Sequence, residues 1–547
     1  MLSFLKHSKS GYVEISVVSL ILLMKNLIFL FVFISAFTRQ IQAQTVSGAR
    51  GETFKRRVVA RGLSDPWEIT YGPDGKLWVT EAKGYRVSKI DVSTGAKTVL
   101  LDLTTQRNFP RYDIIPDEID KGKKWPQGGL MGMALHPQLL KGKPYVYVCY
   151  IYNFAGATKD STGCADNFGG CFYTSRLVRY EYNSKDQKLI NPSILCDSIP
   201  QSSDHNSGRV TIGRVDGKSY LFYTMGEMGA GQHENAGRIN YAQTIDKYEG
   251  KVLRFNLEPD GDKDKYDRWI PNDNPFNAKR QSGVWSYGHR NAQGLAFGLV
   301  DGVERLYSSE HGPFGDEEVN LLEKGKNYGH PLVIGYNDNN YNGYAAGVSE
   351  HKSLPGLWHT TYPLITSENT NAARIGTAYR DPIKAICVIS PDSLKSIFAR
   401  TVANDPKKPE WAAEAPSSIE VYTSKAIPGW ANSLLVPTLK NGKLIRLKLQ
   451  PKGEGIIGDT INYFNSKVRY RDITLSPEGS KIYLATDSSS VTSGPSEENA
   501  KDASCKGCII EFTYQQTRDK NPDLKSKANT RPKRNYSYAP LRAKRED

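Results

Sequence analysis

The side chains best suited to chemistry fall in a few short polar stretches. His205 lies in SSDHNSGR (202–209), with Asp204, Asn206, Ser207 and Arg209 around it. Imidazole titrates near neutral pH, so a histidine in such a loop can take a proton from a hydroxyl, or can be an ordinary surface residue. Arg290 lies in GHRN (288–291), directly after the strand-like residues 284–287. A guanidinium at a strand end clamps a carboxylate, stabilises developing negative charge, or simply caps a loop. Arg469 and Arg471 flank Tyr470 in VRYRD (468–472). On an extended backbone they share one face, which costs stability unless an anion sits between them. If Lys440 in LLVPTLKNG (434–442) comes from a neighbouring blade, three cations converge. They would bind a multiply charged anion; the alternative is an exposed polar strand face. Residues 310–318 join acids to a Gly-Pro turn, and residues 337–340 form a second oxygen-rich loop. Calcium takes carboxylates and free backbone carbonyls, although a solvated acidic loop with Asx-turns reads the same way.

What must position these residues is a repeat: a Gly-containing turn, a short aromatic or aliphatic strand, then a polar residue. Copies lead into residues 77–81, 145–149, 220–227, 306–310, 434–438 and 482–487. No strong helical period lies between them. Six such units predict an all-β fold, a six-bladed β-propeller with long inter-strand loops. The core has more chain per copy than a blade of about 40–50 residues needs. The surplus must form loops, the longest between residues 312 and 428, and long loops on a rigid scaffold carry function.

Composition agrees. The 547 residues are 39% hydrophobic and 24% charged, which suits a globular chain and excludes wholesale disorder. The net charge of +14 is uneven: residues 1–44 carry +3 and residues 516–547 carry +6, leaving +5 for the body. A mildly basic body without a recognition motif points away from nucleic acid. Long apolar runs occur only at 17–24 and 27–37, so a polytopic membrane protein is excluded. The second run, after Met24-Lys25-Asn26 and before Gln44, has the form of a secretory signal over 1–43, with Met24 as an alternative start. A periplasmic or secreted location follows, with a single membrane anchor as the alternative. The propeller is then expected over 44–515 and a basic disordered tail over 516–547. Cys164 and Cys171 bracket a Gly-rich loop that a disulfide could close. Cys505 and Cys508 suggest a local disulfide or two thiols. No Walker A loop, dinucleotide-binding glycine fingerprint, nucleophile elbow or His-Glu-x-x-His is present, so nicotinamide, kinase and thermolysin-type chemistries are set aside.

Seven separated motifs in order give a resemblance: QGGLMGMALHP (127–137), SSDHNSGR, GKVLRFNL (250–257), GHRNAQGLAF (288–297), SEHGPFGDEEVNLL (309–322), LLVPTLKNG and VRYRD. Together, over residues 63–514, the chain resembles the soluble quinoprotein glucose/sorbosone dehydrogenases, six-bladed propellers that use pyrroloquinoline quinone (PQQ) and Ca2+. The resemblance implies that His205 is the base for the anomeric hydroxyl of an aldose, with hydride passing to the quinone to give a lactone. It implies that Arg290 stabilises charge on the quinone, beside Asn291, and that Lys440, Arg469 and Arg471 bind the cofactor carboxylates, with Gln127 lining the site. A calcium ion would take the carbonyls of Gly312 and Pro313, and a second calcium region corresponds to Glu318, Tyr328, Ile334, Tyr336 and Asp338. The sugar pocket would involve Asp204, Glu227, Gln232 and Trp411. An external electron acceptor and a homodimer through the second calcium region are also implied.

Some positions depart from the family pattern. Glu227 replaces Asp, His311 replaces Gln, Ala413 replaces Thr, Lys408 replaces an aromatic, and residues 340–410 differ throughout. The redox machinery is therefore expected to be intact and the sugar wall altered. Two other readings share the scaffold: a non-catalytic propeller binding module, which has no need of the cation cluster, and a lactone hydrolase, which needs channel carboxylates as metal ligands.

Overall fold

The computed structural model describes residues 44–112, 124–156, 163–164, 168–278, 280–407, 409–487 and 505–516. The signal sequence expected over 1–43, the tail beyond residue 516, and Lys408 lie outside them.

Six antiparallel sheets form the blades of a β-propeller, five with four strands and one with five. The expected fold class is the observed one. The six repeat copies read from the sequence each become the second strand of a blade. These strands are Lys76–Glu81, Tyr145–Phe154, Lys218–Met225, Val303–Glu310, Ser433–Pro437 and Lys481–Thr486. The turns ahead of them are the hairpins from each blade's first strand. Asp216-Gly217 and Asp301-Gly302 have positive φ at both positions (51° and 76°, 49° and 80°). That conformation matches the right-handed twist of the flanking strands.

The ring closes through its ends. In the last blade Ile509–Gln515 pairs with Thr53–Ala60 from the start of the described chain, Phe54 opposite Tyr514, and Gln44–Ser47 adds a fifth strand.

First strands surround the axis so closely that side chains are excluded at some points. A Cβ on Gly132 would lie 2.5 Å from the Gly208 carbonyl oxygen, and one on Gly294 would lie 2.7 Å from the Ser418 carbonyl carbon. At the axis the buried Arg209, from blade three, ties the sheets together. It donates to Glu68 (2.7 Å) of blade one and pairs with Asp472 (3.0 Å) of blade six. It also donates to the carbonyls of Gln293 in blade four and Ser417 at the entry to blade five, both at 3.0 Å. A buried guanidinium with its donors satisfied in this way organises the packing around it.

The surplus chain after residue 312 forms loops and two short helices. Glu368–Ile375 is capped by Ser367, and Pro391–Val402 by Ser390 with Pro391 in its first turn. The second helix buries Leu394, Ile397 and Phe398, an i, i+3, i+4 face. Cys164 and Cys171 form a disulfide, whereas Cys505 and Cys508 remain thiols. Among the described residues no helix is long and apolar enough to cross a membrane.

Candidate active site

His205 sits in the loop that enters blade three, in the left-handed region (φ 50°), with Ser207 (φ 53°) close behind. Non-glycine residues adopt this conformation only when their surroundings impose it. Here the backbone is wedged against Gly226, where a Cβ would lie 1.8 Å from the His205 carbonyl oxygen. The imidazole is buried. Its Nδ1 lies 2.5 Å from Glu227 Oε1 and its Nε2 lies 3.1 Å from Gln232 Nε2. A carboxylate only accepts and an amide nitrogen only donates, so the partners assign the proton to Nδ1 and leave the Nε2 lone pair facing Gln232.

The amide of Gln232 is fixed in turn. Its Oε1 accepts from Arg290 (2.9 Å), and its Nε2 also donates to Asp204 Oδ2 (2.8 Å). Gln127 donates to Asp204 Oδ1 (3.1 Å) and accepts from the Asn206 amide (3.1 Å). Burial disfavours the Asp204 carboxylate, but its neighbours His205 and His233, the Gln232 amide and Arg290 outweigh that and hold its pKa below the usual range.

Arg290 is held by its backbone: its N–H donates to Glu310 (2.9 Å) and its carbonyl accepts from the Glu227 N–H (2.9 Å). Its side chain donates to the His311 carbonyl at 3.1 Å. Its buried Nε finds no acceptor among the described residues. That leaves a charged donor suited to an anionic oxygen brought by a ligand. Asn291 accepts from Ser207 (3.2 Å) and from Gln293 (3.0 Å). His311 is pushed down to about 3 by burial and by its neighbours His205, Arg290 and Arg471. It is therefore a neutral imidazole, consistent with its contact to the Pro416 carbonyl at 3.0 Å.

Arg469 and Arg471 do share one face, and the anion between them is Asp487. Arg471 makes a bidentate pair with it, both contacts at 2.8 Å, and Arg469 adds one at 3.1 Å. Burial works against this carboxylate, yet the two guanidiniums hold its pKa below the usual range. Arg471 reaches the His205 cluster through Gln293 Oε1 (3.1 Å) and lies 4.5 Å from the Trp67 ring centroid. Lys440 belongs to the preceding blade, which meets this one where the Tyr470 N–H donates to the Thr438 carbonyl (3.2 Å). Its ammonium donates to the Trp411 carbonyl at 3.0 Å, which ties Lys440 to Trp411 rather than to the two arginines.

The Gly-Pro turn fits a hard cation by its backbone. Among the described residues no donor reaches the carbonyl oxygens of Gly312 or Pro313. Gly312 admits no side chain, since its Cβ would lie 1.8 Å from the Gly315 carbonyl oxygen. If this turn holds the implied calcium, Gly312→Ala should reshape it and weaken calcium-dependent binding of the implied quinone by at least about tenfold, read by calorimetry with and without calcium. Unchanged calcium dependence would remove this turn from the metal site. Among the described residues no three His, Cys, Asp or Glu side chains gather as a metal site by themselves.

The second implied calcium region lies behind Arg290. Glu318 accepts from the Gly335 N–H (3.1 Å) and from Asn320 (2.9 Å), which also donates to Glu310 (2.8 Å). Burial, reinforced by the Glu310 charge, pushes the Glu318 carboxyl well above its usual range. Tyr328 stacks on His289 with ring centroids 4.7 Å apart. Ile334 donates its N–H to Glu368, the Tyr336 carbonyl accepts from the Asp338 N–H, and Asp338 accepts from the Asn340 N–H. Asn320 and Glu310 are the bridge from Glu318 to the backbone of Arg290.

Sequence reading singled out Glu227 and placed Glu310 in an acidic Gly-Pro segment, but it gave neither Glu310 nor Asp487 a partner. Glu310 ends the second strand of blade four and accepts from the Arg290 N–H, and Asp487 follows the second strand of blade six and pairs with Arg469 and Arg471. The signal was the polar residue ending each repeat copy. Gln293, which joins Asn291 to Arg471, carried none beyond its place two residues after Asn291.

Comparison with known proteins gives the same picture. The family model for glucose/sorbosone dehydrogenase matches residues 63–372 and 396–492. The chain is 32% identical over 491 residues to quinoprotein glucose dehydrogenase B of Acinetobacter calcoaceticus, covering 85% of this chain and 92% of that one. It is 24% identical to the aldose sugar dehydrogenase YliI of Escherichia coli, covering 80% and 91%. Two solved structures share the fold. The PQQ-bound aldose sugar dehydrogenase of Streptomyces coelicolor has a TM-score of 0.51 at 23% identity, covering 86% of this chain and all of that one. The apo-form soluble aldose sugar dehydrogenase of Escherichia coli has a TM-score of 0.55 at 20% identity, covering 84% and all of that chain. Propeller, motif order and family model converge: this chain belongs to the glucose/sorbosone dehydrogenase family.

Proposed function

We propose that the protein is an exported, PQQ- and calcium-dependent aldose dehydrogenase that oxidises its sugar at the anomeric carbon to the lactone. The observation that carries this reading is the hydrogen-bonded chain Glu227–His205–Gln232–Arg290, in which the His205 Nε2 lone pair faces Gln232 and the Arg290 Nε has no acceptor among the described residues. When bound, PQQ supplies the hydride acceptor, and calcium at the Gly312 and Pro313 carbonyls supplies a Lewis acid.

The protein's own part is binding, orientation and proton transfer. Glu227 holds Nδ1–H of His205, so Nε2 takes the proton of the anomeric hydroxyl, and the carboxylate stabilises the imidazolium that results. The incoming hydroxyl replaces the contact between Nε2 and Gln232, while Asp204 keeps that amide in place. Arg290 would offer Nε to negative charge that develops on the bound quinone. Lys440, Arg469 and Arg471 would hold the cofactor carboxylates, with Asp487 between the two arginines. Trp411 offers an aromatic edge to the sugar. An external electron acceptor would be the partner that completes the cycle.

Reconstitution tests this. The chain from Gln44 would be mixed with calcium and PQQ, and absorption recorded before and after a panel of aldoses is added. Stoichiometric binding followed by sugar-dependent reduction is the expected result. Failure to bind the quinone would overturn the reading, and binding without reduction by any aldose would refute the substrate class.

A further inference from the structure

We propose that Tyr362 is a positioning residue: through the Glu227 carboxylate it holds the His205 imidazole aimed at the substrate hydroxyl. The inference rests on His205 acting as the base, as proposed above. It concerns a loop in the stretch 340–410, where the chain departs from the family pattern.

Three observations support it. First, Tyr362 is buried and its hydroxyl donates to Glu227 Oε1 at 3.4 Å, the same oxygen that receives Nδ1 of His205. Glu227 Oε2 is occupied by the Ala230 N–H at 2.9 Å. The carboxylate is thus held at both oxygens and cannot swing away from the imidazole without abandoning a buried donor.

Second, the Tyr362 ring is wedged between two glycines. A Cβ on Gly231 would lie 2.5 Å from the ring, and one on Gly347 would lie 2.7 Å from it. The edge of the His330 ring meets it at a centroid distance of 5.7 Å.

Third, the flanking threonines moor the loop to the segment that carries Gln232. Thr360 donates to the Gly231 carbonyl (2.7 Å) and Thr361 to the Arg238 carbonyl (2.8 Å). One insertion therefore reaches the carboxylate behind the base and the turn in front of it. The charged or titratable groups around Tyr362 are Glu227, Asp204, Arg290 and His330, and burial first, then Glu227, holds its hydroxyl protonated as a donor.

The test is Tyr362→Phe, which keeps the ring and removes the donor. A short Nδ1–H···O contact to a carboxylate gives a far-downfield proton resonance. In cofactor-free protein this His205 signal should move and broaden in the variant. In the reconstituted enzyme kcat should fall about tenfold while KM stays within about twofold. Thermal unfolding should stay close to wild type, which separates positioning from general support of the fold. If Tyr362→Phe does not fold, Thr360→Val, which loosens the same loop, should move the same resonance. A resonance identical to wild type in the folded variant would overturn the proposal. Because that signal needs neither quinone nor sugar, it decides the role of Tyr362 even if no aldose reduces the cofactor.

Discussion

His205→Ala should bind the quinone as wild type does and reduce it with sugar about 10³-fold more slowly. The expectation follows from what the imidazole touches. Its contacts are Glu227, Gln232 and Asp204, whereas the residues assigned to the cofactor carboxylates are Lys440, Arg469 and Arg471. Removing the ring therefore deletes the proton acceptor and leaves the cation cluster in place. Asp204 lies beside the vacated position, but both its oxygens are already engaged, Oδ1 by Gln127 and Oδ2 by Gln232. Stopped-flow reduction of the bound quinone separates the two effects, because binding is read before sugar is added. Loss of binding in the variant would make His205 a structural residue, and a rate within about threefold of wild type would give the base to another group.

The second large effect is on stability. Arg209→Leu should destabilise the fold by about 3–5 kcal/mol, the usual cost of stripping one partner from a buried charge network. The guanidinium answers two buried carboxyls, Glu68 and Asp472, and crosses the axis to carbonyls of two further blades. Burial and the Asp472 charge push Glu68 up to about 8 even with Arg209 present, and burial also raises Asp472. Without the arginine both would be raised further. A carboxyl with a raised folded-state pKa contributes its full stability below its unfolded value, near 4, and loses it as pH rises through the folded value. The deficit of Arg209→Leu should therefore be smaller at pH 5 than at pH 8.5. Denaturant unfolding at the two pH values measures it, and a pH-independent deficit would contradict this account of the axis.

The fold was legible because a propeller repeats its local chemistry. Each hairpin needs its own turn residues, so Asp216-Gly217 and Asp301-Gly302 announce blades without reference to the rest of the chain. Much of the site was legible because its residues cluster in short motifs: Asp204 with His205, Arg290 with Asn291, Arg469 with Arg471. What stayed hidden depends on approach in space. Asp487 looks like any strand-end acid until the ring brings it between two arginines. Arg209 reads as one polar residue in a polar motif, yet it lies at the axis. Tyr362 belongs to a loop without periodicity, and only the narrow gap between Gly231 and Gly347 gives it a place. The sequence reading of 312–428 as mostly loop omitted two short helices, whose Ser-Pro and Ser-Glu starts are local signals that were present.

The way the ring is fastened also bears on biogenesis. The blade that carries Arg469, Arg471 and Asp487 is completed by Thr53–Ala60, some four hundred residues earlier in the chain. Pairs so distant in sequence form late, because the loop they close is long. A nascent or prematurely terminated chain can build its early blades but cannot finish the blade on which the anion clamp stands. If PQQ binds on that blade as proposed, the strand pair that closes the ring also completes its site.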